Sequence, residues 1–372
     1  MKSFVTRTVH GGTLEGRTIE PLVQPVYQTS AFAFDSLEAM NGYYEGDGSY
    51  LYSRNGNPNT DTLAKSVAGL EGAPAGVAAS SGTGAILAGI LAAVGEGDHL
   101  LAARDVYGGT VALLKNELSR LGVTVHFADF ADTGEIEQKL MDHPEIKLMI
   151  SESITNPFLR IEDIDVLVQL KKYYGVRLLI DNTFATPYTI RPYEAGADLV
   201  AHSATKYLGG HSDVTAGVLT GSEELIGAAK ERITGMGLNL SPFEAWLTAR
   251  GVRTLALRMN AQCRNAKGIA EFVRNRMKVW HPDAGAMVTF ELPEQADVAA
   301  FFRSLGWIKV VPTLAGVETT VSHPYSTSHR ALSAEEKEAL GISEHLVRLS
   351  AGIEDLEDIT GRLKEAFEAA GC

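Results

Sequence analysis

Lys206 closes the run His202-Ser203-Ala204-Thr205-Lys206, and Asp181 opens Asp181-Asn182-Thr183 directly after the apolar stretch Val176-Arg177-Leu178-Leu179-Ile180. A lysine just past a buried strand, with a carboxylate ending an upstream strand and hydroxyls alongside, suits a pyridoxal phosphate site. The amine condenses with the cofactor aldehyde, the carboxylate keeps the pyridine nitrogen protonated, and Ser203 and Thr205 offer hydroxyls to the phosphate. Alone, Lys206 reads as an exposed loop lysine, where most lysines sit. The company of Asp181 and two hydroxyls moves the reading to the cofactor. A nearby opposite charge shifts a pKa by about 1–3 units, roughly 1.4–4 kcal/mol. An exposed ion pair supplies at most about 1 kcal/mol, so Asp181 must work from a buried position. Lys206, to act as a base near neutral pH, needs a pKa well below the ordinary value of about 10.4.

Ser80-Ser81-Gly82-Thr83-Gly84-Ala85 joins an apolar run to the helical pattern Ile86-Leu87-Ala88-Gly89-Ile90-Leu91. Gly82 and Thr83 would let backbone amides approach an anion at a helix N-terminus, where the dipole favours negative charge. Gly82-Thr83-Gly84 lacks the third glycine of a dinucleotide fingerprint. With Ser203 and Thr205 it makes a second set of donors for one phosphate.

The elements that must position these groups follow from periodicity. Apolar runs at 76–79, 100–103, 123–127, 148–150, 178–180 and 199–201 alternate with helical patterns at 84–94, 108–120, 134–142 and 162–174. That order predicts an α/β fold: a mostly parallel sheet with helices on both faces, with 213–220 as a further strand. Residues 1–60 are rich in Gly, Pro, Tyr and Ser without periodicity and read as an extended arm; 61–240 form a large domain and 241–372 a smaller α+β domain. In the latter, a long helical region runs from Ser241-Pro242 to about 277, then a strand at 286–292 and helices near 296–305 and 355–370. At 372 residues a single hydrophobic core is too small a frame. The net charge of −13 argues against nucleic acid and anionic membranes as partners. Only Cys263 and Cys372 are present, which excludes a disulfide framework and suits a reducing compartment. Met1-Lys2-Ser3-Phe4 leads into polar sequence without a secretory pattern, so a cytoplasmic location is expected. His323 and His329 have no Cys, Asp or Glu at ligand spacing between them and read as loop histidines; no metal is expected.

With these residues in view, the chain resembles the pyridoxal phosphate enzymes of cysteine and methionine metabolism, the group of cystathionine γ-lyase, cystathionine γ-synthase and methionine γ-lyase. The resemblance runs over nearly the whole chain, through Tyr52-Ser53-Arg54, Ser81-Gly82-Thr83-Gly84-Ala85, Asp105-Val106-Tyr107-Gly108-Gly109, Glu152-Ser153-Ile154-Thr155-Asn156-Pro157, Asp181 to Pro187, His202 to Gly210, Gly316-Val317-Glu318-Thr319 and Arg348 to Asp355. It implies fold type I, the aspartate-aminotransferase-like architecture. It also implies that Tyr107 stacks on the cofactor ring, that Asn156 bonds its 3′ oxygen and that Thr183 belongs to the cofactor shell. Taken alone, Tyr107 also fits a core tyrosine at a helix start, and Asn156-Pro157 a simple turn. Tyr52 and Arg54 are likened to a pair that reaches the phosphate of a neighbouring subunit, within a homo-oligomer, a tetramer built as a dimer of active dimers. Arg348 resembles the clamp on the substrate α-carboxylate, a bidentate geometry that lysine cannot reproduce. Thr313 would assist it, and Glu318 would attract the distal ammonium of cystathionine.

The expected activity is carbon–sulfur lysis by γ-elimination on cystathionine or a related small sulfur amino acid, giving 2-oxobutanoate, ammonia and a thiol. Cystathionine γ-synthase or O-acyl-homoserine sulfhydrylase chemistry, which is γ-replacement, and methionine γ-lyase chemistry are the alternatives within the family. A transaminase or a cofactor-binding protein without turnover is the alternative outside it. Gly109 stands where methionine γ-lyases carry a cysteine, and Ile233-Thr234 where they carry Lys-Asp. Glu318 is of the cystathionine type. Thr313 and Ile154 replace the family's commoner serine and proline.

Overall fold

The computed structural model describes residues 3–11, 21–46, 48–330 and 333–372. Its larger sheet contains β1 (Ala75–Ala79), β2 (His99–Ala103), β3 (Thr124–Ala128), β4 (Ile146–Glu152), β5 (Arg177–Asp181), β6 (Leu199–Ser203) and β7 (Gly217–Gly221), in the order β1-β7-β6-β5-β4-β2-β3. Every apolar run expected to be a strand lies in it. The pairs β2–β3, β2–β4, β4–β5 and β5–β6 are parallel, whereas β7 runs antiparallel to both β6 and β1. The reason is the connection. Residues 204–216 between β6 and β7 contain no crossover helix, and without one the returning strand must reverse. That helix-free loop carries Lys206.

Helices cover both faces of the sheet. In chain order the first seven are α1 (Phe4–His10), α2 (Leu37–Glu45), α3 (Pro58–Glu71), α4 (Gly82–Ala93), α5 (Gly108–Ala112), α6 (Thr133–Asp142) and α7 (Ile164–Tyr174). Ile86 and Ile90 of α4 join Leu100, Ile150 and Leu219 in one core, and Ile136 of α6 and Leu167 of α7 join Leu101, Met149 and Leu178 in another. Burial on both faces explains why the strands read as unbroken apolar runs rather than alternating ones. Local signals set the helix ends: Asp163 accepts from Val166 N at 3.1 Å to start α7, and Gly175 at φ +68 stops it.

Three expectations change. The helix expected at 108–120 breaks into α5, a π turn at Leu113–Glu117 and a 3-10 turn at Leu118–Leu121. The region 241–277 is two helices, Pro242–Val252 and Leu255–Arg274, parted at Arg253-Thr254. The arm holds α1 and α2, and α3 begins at Pro58, inside its expected limit. Residues 1–2, 12–20 and 47 of the arm lie outside the described residues. Buried Asn57 and Asn59 fasten this segment: Asn57 Nδ2 donates to Tyr27 O at 2.9 Å, and Asn59 Oδ1 accepts from Tyr27 N at 2.7 Å. A residue that satisfies remote backbone supplies no periodicity for a sequence reading to find.

The second sheet has the order β10-β11-β12-β9-β8, formed by β8 (Val279–Trp280), β9 (Met287–Glu291), β10 (Lys309–Val310), β11 (Thr320–Ser322) and β12 (Leu346–Ser350). The helices Leu255–Arg274 and Leu356–Ala370 pack on it through Ile269, Val273, Leu363 and Phe367. A further core, including Leu63, Tyr207, Met259 and Met287, spans both halves of the chain. Phe290 lies fully buried, edge-on to Phe301 at 6.0 Å and to Phe367 at 5.8 Å. Phe290→Ala is expected to cost about 3–5 kcal/mol, read as a lower urea midpoint at unchanged slope. A loss under about 1 kcal/mol would mean that the second sheet does not depend on this aromatic contact.

Candidate active site

Glu152, Asp181 and Ser203 are the last residues of β4, β5 and β6, and Glu152 pairs in register with Asp181. Parallel strands leave a crevice at their carboxyl ends. Here it is a cavity of about 520 Å³ that gathers Gly82, Thr83, Tyr107, Asn156, Asp181, Thr183, Ser203, Thr205, Lys206 and Arg348.

At one end is the N-terminus of α4. Ser81 caps it by accepting from Gly84 N at 3.0 Å, and Gly82 begins the helix against Ser203. A Cβ on Gly82 would meet Ser203 Cβ at 2.6 Å, so only glycine allows this approach. The resulting cradle of amide donors and positive dipole suits a phosphate. Thr205 lines the cavity, and its hydroxyl donates to Ala216 O at 3.2 Å and accepts from Ala216 N at 3.0 Å, bracing the lysine loop.

Asp181 is oriented by Thr183, whose backbone N donates to Oδ1 at 3.0 Å and whose hydroxyl also donates to it. Thr183 Oγ1 in turn accepts from Ser203 N at 2.8 Å, which links β5 to β6 at the site. Burial pushes the Asp181 carboxyl up, against the pull of Thr183 and His202. Glu152 is pushed well up by burial and by the adjacent Asp181 carboxylate, although its Oε1 accepts from Tyr107 N at 2.6 Å. Two buried carboxyls side by side favour a cation between them and the cavity, and a protonated ring nitrogen meets that demand.

Behind the site, buried Glu71 Oε1 accepts from Asn182 Nδ2 at 2.8 Å and bonds His202 Nε2 at 2.9 Å. That pair steadies the residues on either side of Asp181 and Ser203. The lysine loop is held by Arg258, which donates to Tyr207 O and to Gly251 O, each at 2.8 Å. Lys206 itself projects into the cavity, and its Nζ donates to Thr313 Oγ1 at 2.8 Å. Burial, helped by the Arg348 charge, lowers its pKa to about 8. Thr313, expected on the substrate, sits against the lysine.

Arg348 lies mid-strand in β12 and is buried. Its Nη1 donates to Asn156 Oδ1 at 2.8 Å, while Nε has no partner among the described residues. Burial lowers its pKa to about 10, which leaves it cationic at neutral pH. A buried guanidinium with open donors is costly unless an anion completes it. Asn156 therefore carries part of the Arg348 charge as well as facing the cavity.

Three other expected residues stand apart. Glu318 is exposed and outside the cavity lining, its Oε2 close to Gly316. Tyr52 and Arg54 border a separate surface concavity of about 580 Å³ with Phe32, Leu37 and Met40. Arg54 lies 5.3 Å from the Tyr52 ring centroid. His323 bonds Ser326 and Glu344 O. His329 is buried, with its pKa lowered to about 4 by burial and by the Arg348 and Lys337 charges. Glu152 was overlooked as a site residue although it ends an apolar strand just as Asp181 does, and that signal was available. Phe184, within the stretch Asp181 to Pro187, and Arg330, which no sequence pattern marks, also line the cavity.

A lysine amine, a carboxylate at the end of a neighbouring strand and a glycine-opened helix N-terminus, all facing one crevice of a mostly parallel sheet, define a fold type I pyridoxal phosphate enzyme. Residues 5–368 match the family described as Cys/Met metabolism PLP-dependent enzyme. The chain is 39% identical to an L-methionine gamma-lyase of Porphyromonas gingivalis over 392 aligned residues, covering 98% of this chain and 97% of that one. It is 37% identical to a cystathionine beta-lyase of Lactococcus lactis, covering 99% and 100%. The structure of cystathionine gamma synthase from Xanthomonas oryzae pv. oryzae in complex with cystathionine superposes with a TM-score of 0.93 at 34% identity, covering 100% of this chain and 99% of that one. The chain belongs to this family of pyridoxal 5′-phosphate enzymes of cysteine and methionine metabolism.

The state of Lys206 is directly measurable. In cofactor-free protein, acylation of Lys206 by a small activated ester should rise with pH with a midpoint near 8, since only the neutral amine reacts. A midpoint near the ordinary lysine value, read by peptide mass mapping, would remove Lys206 as a base at neutral pH.

Proposed function

We propose that this enzyme eliminates the sulfur substituent from Cγ of a sulfur amino acid of the cystathionine type. Water is consumed, and 2-oxobutanoate, ammonia and a thiol are released. The reading is supported above all by buried Arg348, which lines the same cavity as Lys206 and whose Nε has no partner among the described residues. A guanidinium binds a carboxylate in a fixed orientation, so the α-carbon is delivered beside the base. Bound pyridoxal phosphate supplies the electron sink that acidifies the Cα and Cβ protons. Gly82, Thr83 and Ser203 would hold its phosphate, Asp181 its ring nitrogen and Tyr107 its exposed face. Lys206 Nζ would take the Cα proton, give it up to the electron sink that the cofactor supplies and, neutral again, take a Cβ proton, which lets the γ-substituent depart. An amine whose pKa is near 8 is a sufficient base at neutral pH and regains a proton readily.

The test is a panel of L-cystathionine, L-methionine, L-homocysteine and O-acetylhomoserine plus cysteine, assayed for keto acid, thiol and cystathionine. Keto acid with thiol from the sulfur amino acids is expected. Cystathionine formed from the ester pair, with no keto acid, would establish γ-replacement instead. Arg348→Lys should raise KM by roughly 10- to 100-fold across the panel while the cofactor stays bound, as loss of a charged hydrogen-bond pair of about 1.5–3 kcal/mol predicts.

The proposal includes a homo-oligomer in which Tyr52 and Arg54 complete a neighbour's phosphate site, in tetramers built from such dimers. Support comes from the arm, where Leu22 is 94% exposed, Leu37 70% and Tyr44 71%, a burden of apolar surface that a partner would cover. The division at about 60 and 240 remains part of the same reading, and so does a reducing cytoplasm, given free Cys263 and Cys372. Among the described residues no helix is long and apolar enough to cross a membrane. Mixed oligomers of Arg54→Ala and Lys206→Ala subunits should regain activity that neither parent has. Mixed oligomers that form, as seen by native mass spectrometry, and stay inactive would end the shared-site reading.

A further inference from the structure

Three histidines gather at the far end of the larger sheet. His99 is the first residue of β2, His126 lies within β3, and His143 caps the C-terminus of α6. Each is half-buried. One ring nitrogen from each can be chosen so that all lie within 4.8 Å of one another, and His99 Nδ1 and His126 Nε2 are 3.0 Å apart. The His126 and His143 rings stack with centroids 4.0 Å apart. Glu145, just ahead of β4, brings Oε1 within 3.9 Å of His99 Nδ1.

We infer that His99, His126 and His143 form a binding site for a borderline transition-metal dication, Zn²⁺ foremost, with the Glu145 carboxylate beside it. Zn–N bonds of about 2.0–2.1 Å in tetrahedral geometry put two ligand nitrogens roughly 3.3–3.4 Å apart. The closest pair need open only slightly, and His143 closes by side-chain rotation. His99 Nδ1 and His126 Nε2 share a hydrogen bond, so an ion bound by both displaces the proton between them. His99 and His126 stand on hydrogen-bonded strands, which makes their spacing rigid. Nitrogen donors with one carboxylate suit Zn²⁺ and its neighbours rather than Mg²⁺ or Ca²⁺.

The site is remote from the reaction. Glu152, Asp181 and Ser203 close their strands, whereas His99 opens β2, a separation on the order of 15 Å along the strand direction. Its effect is structural. β3 is an edge strand and among the described residues pairs only with β2, so an ion bridging β2, β3 and the turn after α6 fastens that edge.

Chelator-treated holoenzyme titrated with Zn²⁺ in a calorimeter should bind a single ion per chain, and Co²⁺ should give the visible bands of a tetrahedral nitrogen-rich site. His126→Gln and His143→Gln should each weaken Zn²⁺ binding by at least about tenfold, since even outer-shell changes cost that much. Both should keep cofactor absorbance and lose the Zn²⁺-induced rise in Tm seen in the parent. His99→Gln serves in place of either variant that fails to fold. No saturable binding by the parent, or equal binding by the folded variants, would overturn the site.

Discussion

The constraint on which the active site depends is the desolvation of four ionisable groups around one cavity. Lys206, Arg348, Asp181 and Glu152 sit where charge is expensive, and each is displaced from its ordinary behaviour. Burial lowers the two cations and raises the two acids, so every group is driven toward neutrality. Each is thereby made ready for a partner of opposite charge. In the proposed reading, a substrate carboxylate on Arg348 and a cationic ring nitrogen on Asp181 would return favourable interactions that the bare cavity withholds. Binding energy is thus stored as incomplete pairing in a rigid pocket. The same groups on an open surface would be satisfied by water and would select nothing.

Incomplete pairing at the centre requires firm pairing around it. Glu71, Asn182 and His202 form a buried polar cluster directly behind the strand ends that present Asp181 and Ser203. Arg258 ties the lysine loop to Gly251, in the last turn of the helix Pro242–Val252, through backbone carbonyls. Gln262 and Asn265 do similar work further along the same helix, donating to Gly316 O and to Gly352 O. Some of these clusters remain unfinished: Glu71 Oε2, Asn182 Oδ1 and His202 Nδ1 have no partner among the described residues. Such groups cost stability, which is tolerable when neighbouring apolar cores are large and the reward is a fixed site.

The central sheet and the pair Lys206 and Asp181 were legible because a single physical cause wrote them into the sequence. Strands buried on both faces must be apolar throughout, and a charged residue ending such a run stands out. Glu152 ends its strand under the same rule, inside the motif that also carries Asn156. The antiparallel course of β7 was hidden, since strand direction is set by the connection and leaves no trace in a five-residue pattern. α1 and α2 lie in an arm without sustained apolar periodicity, whose segment around Pro25 and Tyr27 is fastened from Asn57 and Asn59. Thr313 and Glu318 were assigned from resemblance, which carries residue identity but no geometry. The three histidines are scattered over separate elements and meet only because β2, β3 and α6 are neighbours in the fold.

Thr313 gives the site a property that neither its type nor its position announces. Its hydroxyl accepts from the free Lys206 amine, so the loop leading into β11 provides a resting place for the lysine when it is not covalently engaged. A neutral amine needs little more than one acceptor to stay ordered, and a hydroxyl accepts without adding the negative charge that would raise the amine's pKa again. An aspartate in that position would hold the lysine more tightly and protonate it, ending its use as a base. The threonine thus keeps Lys206 oriented while leaving burial, helped by the Arg348 charge, to hold its pKa down.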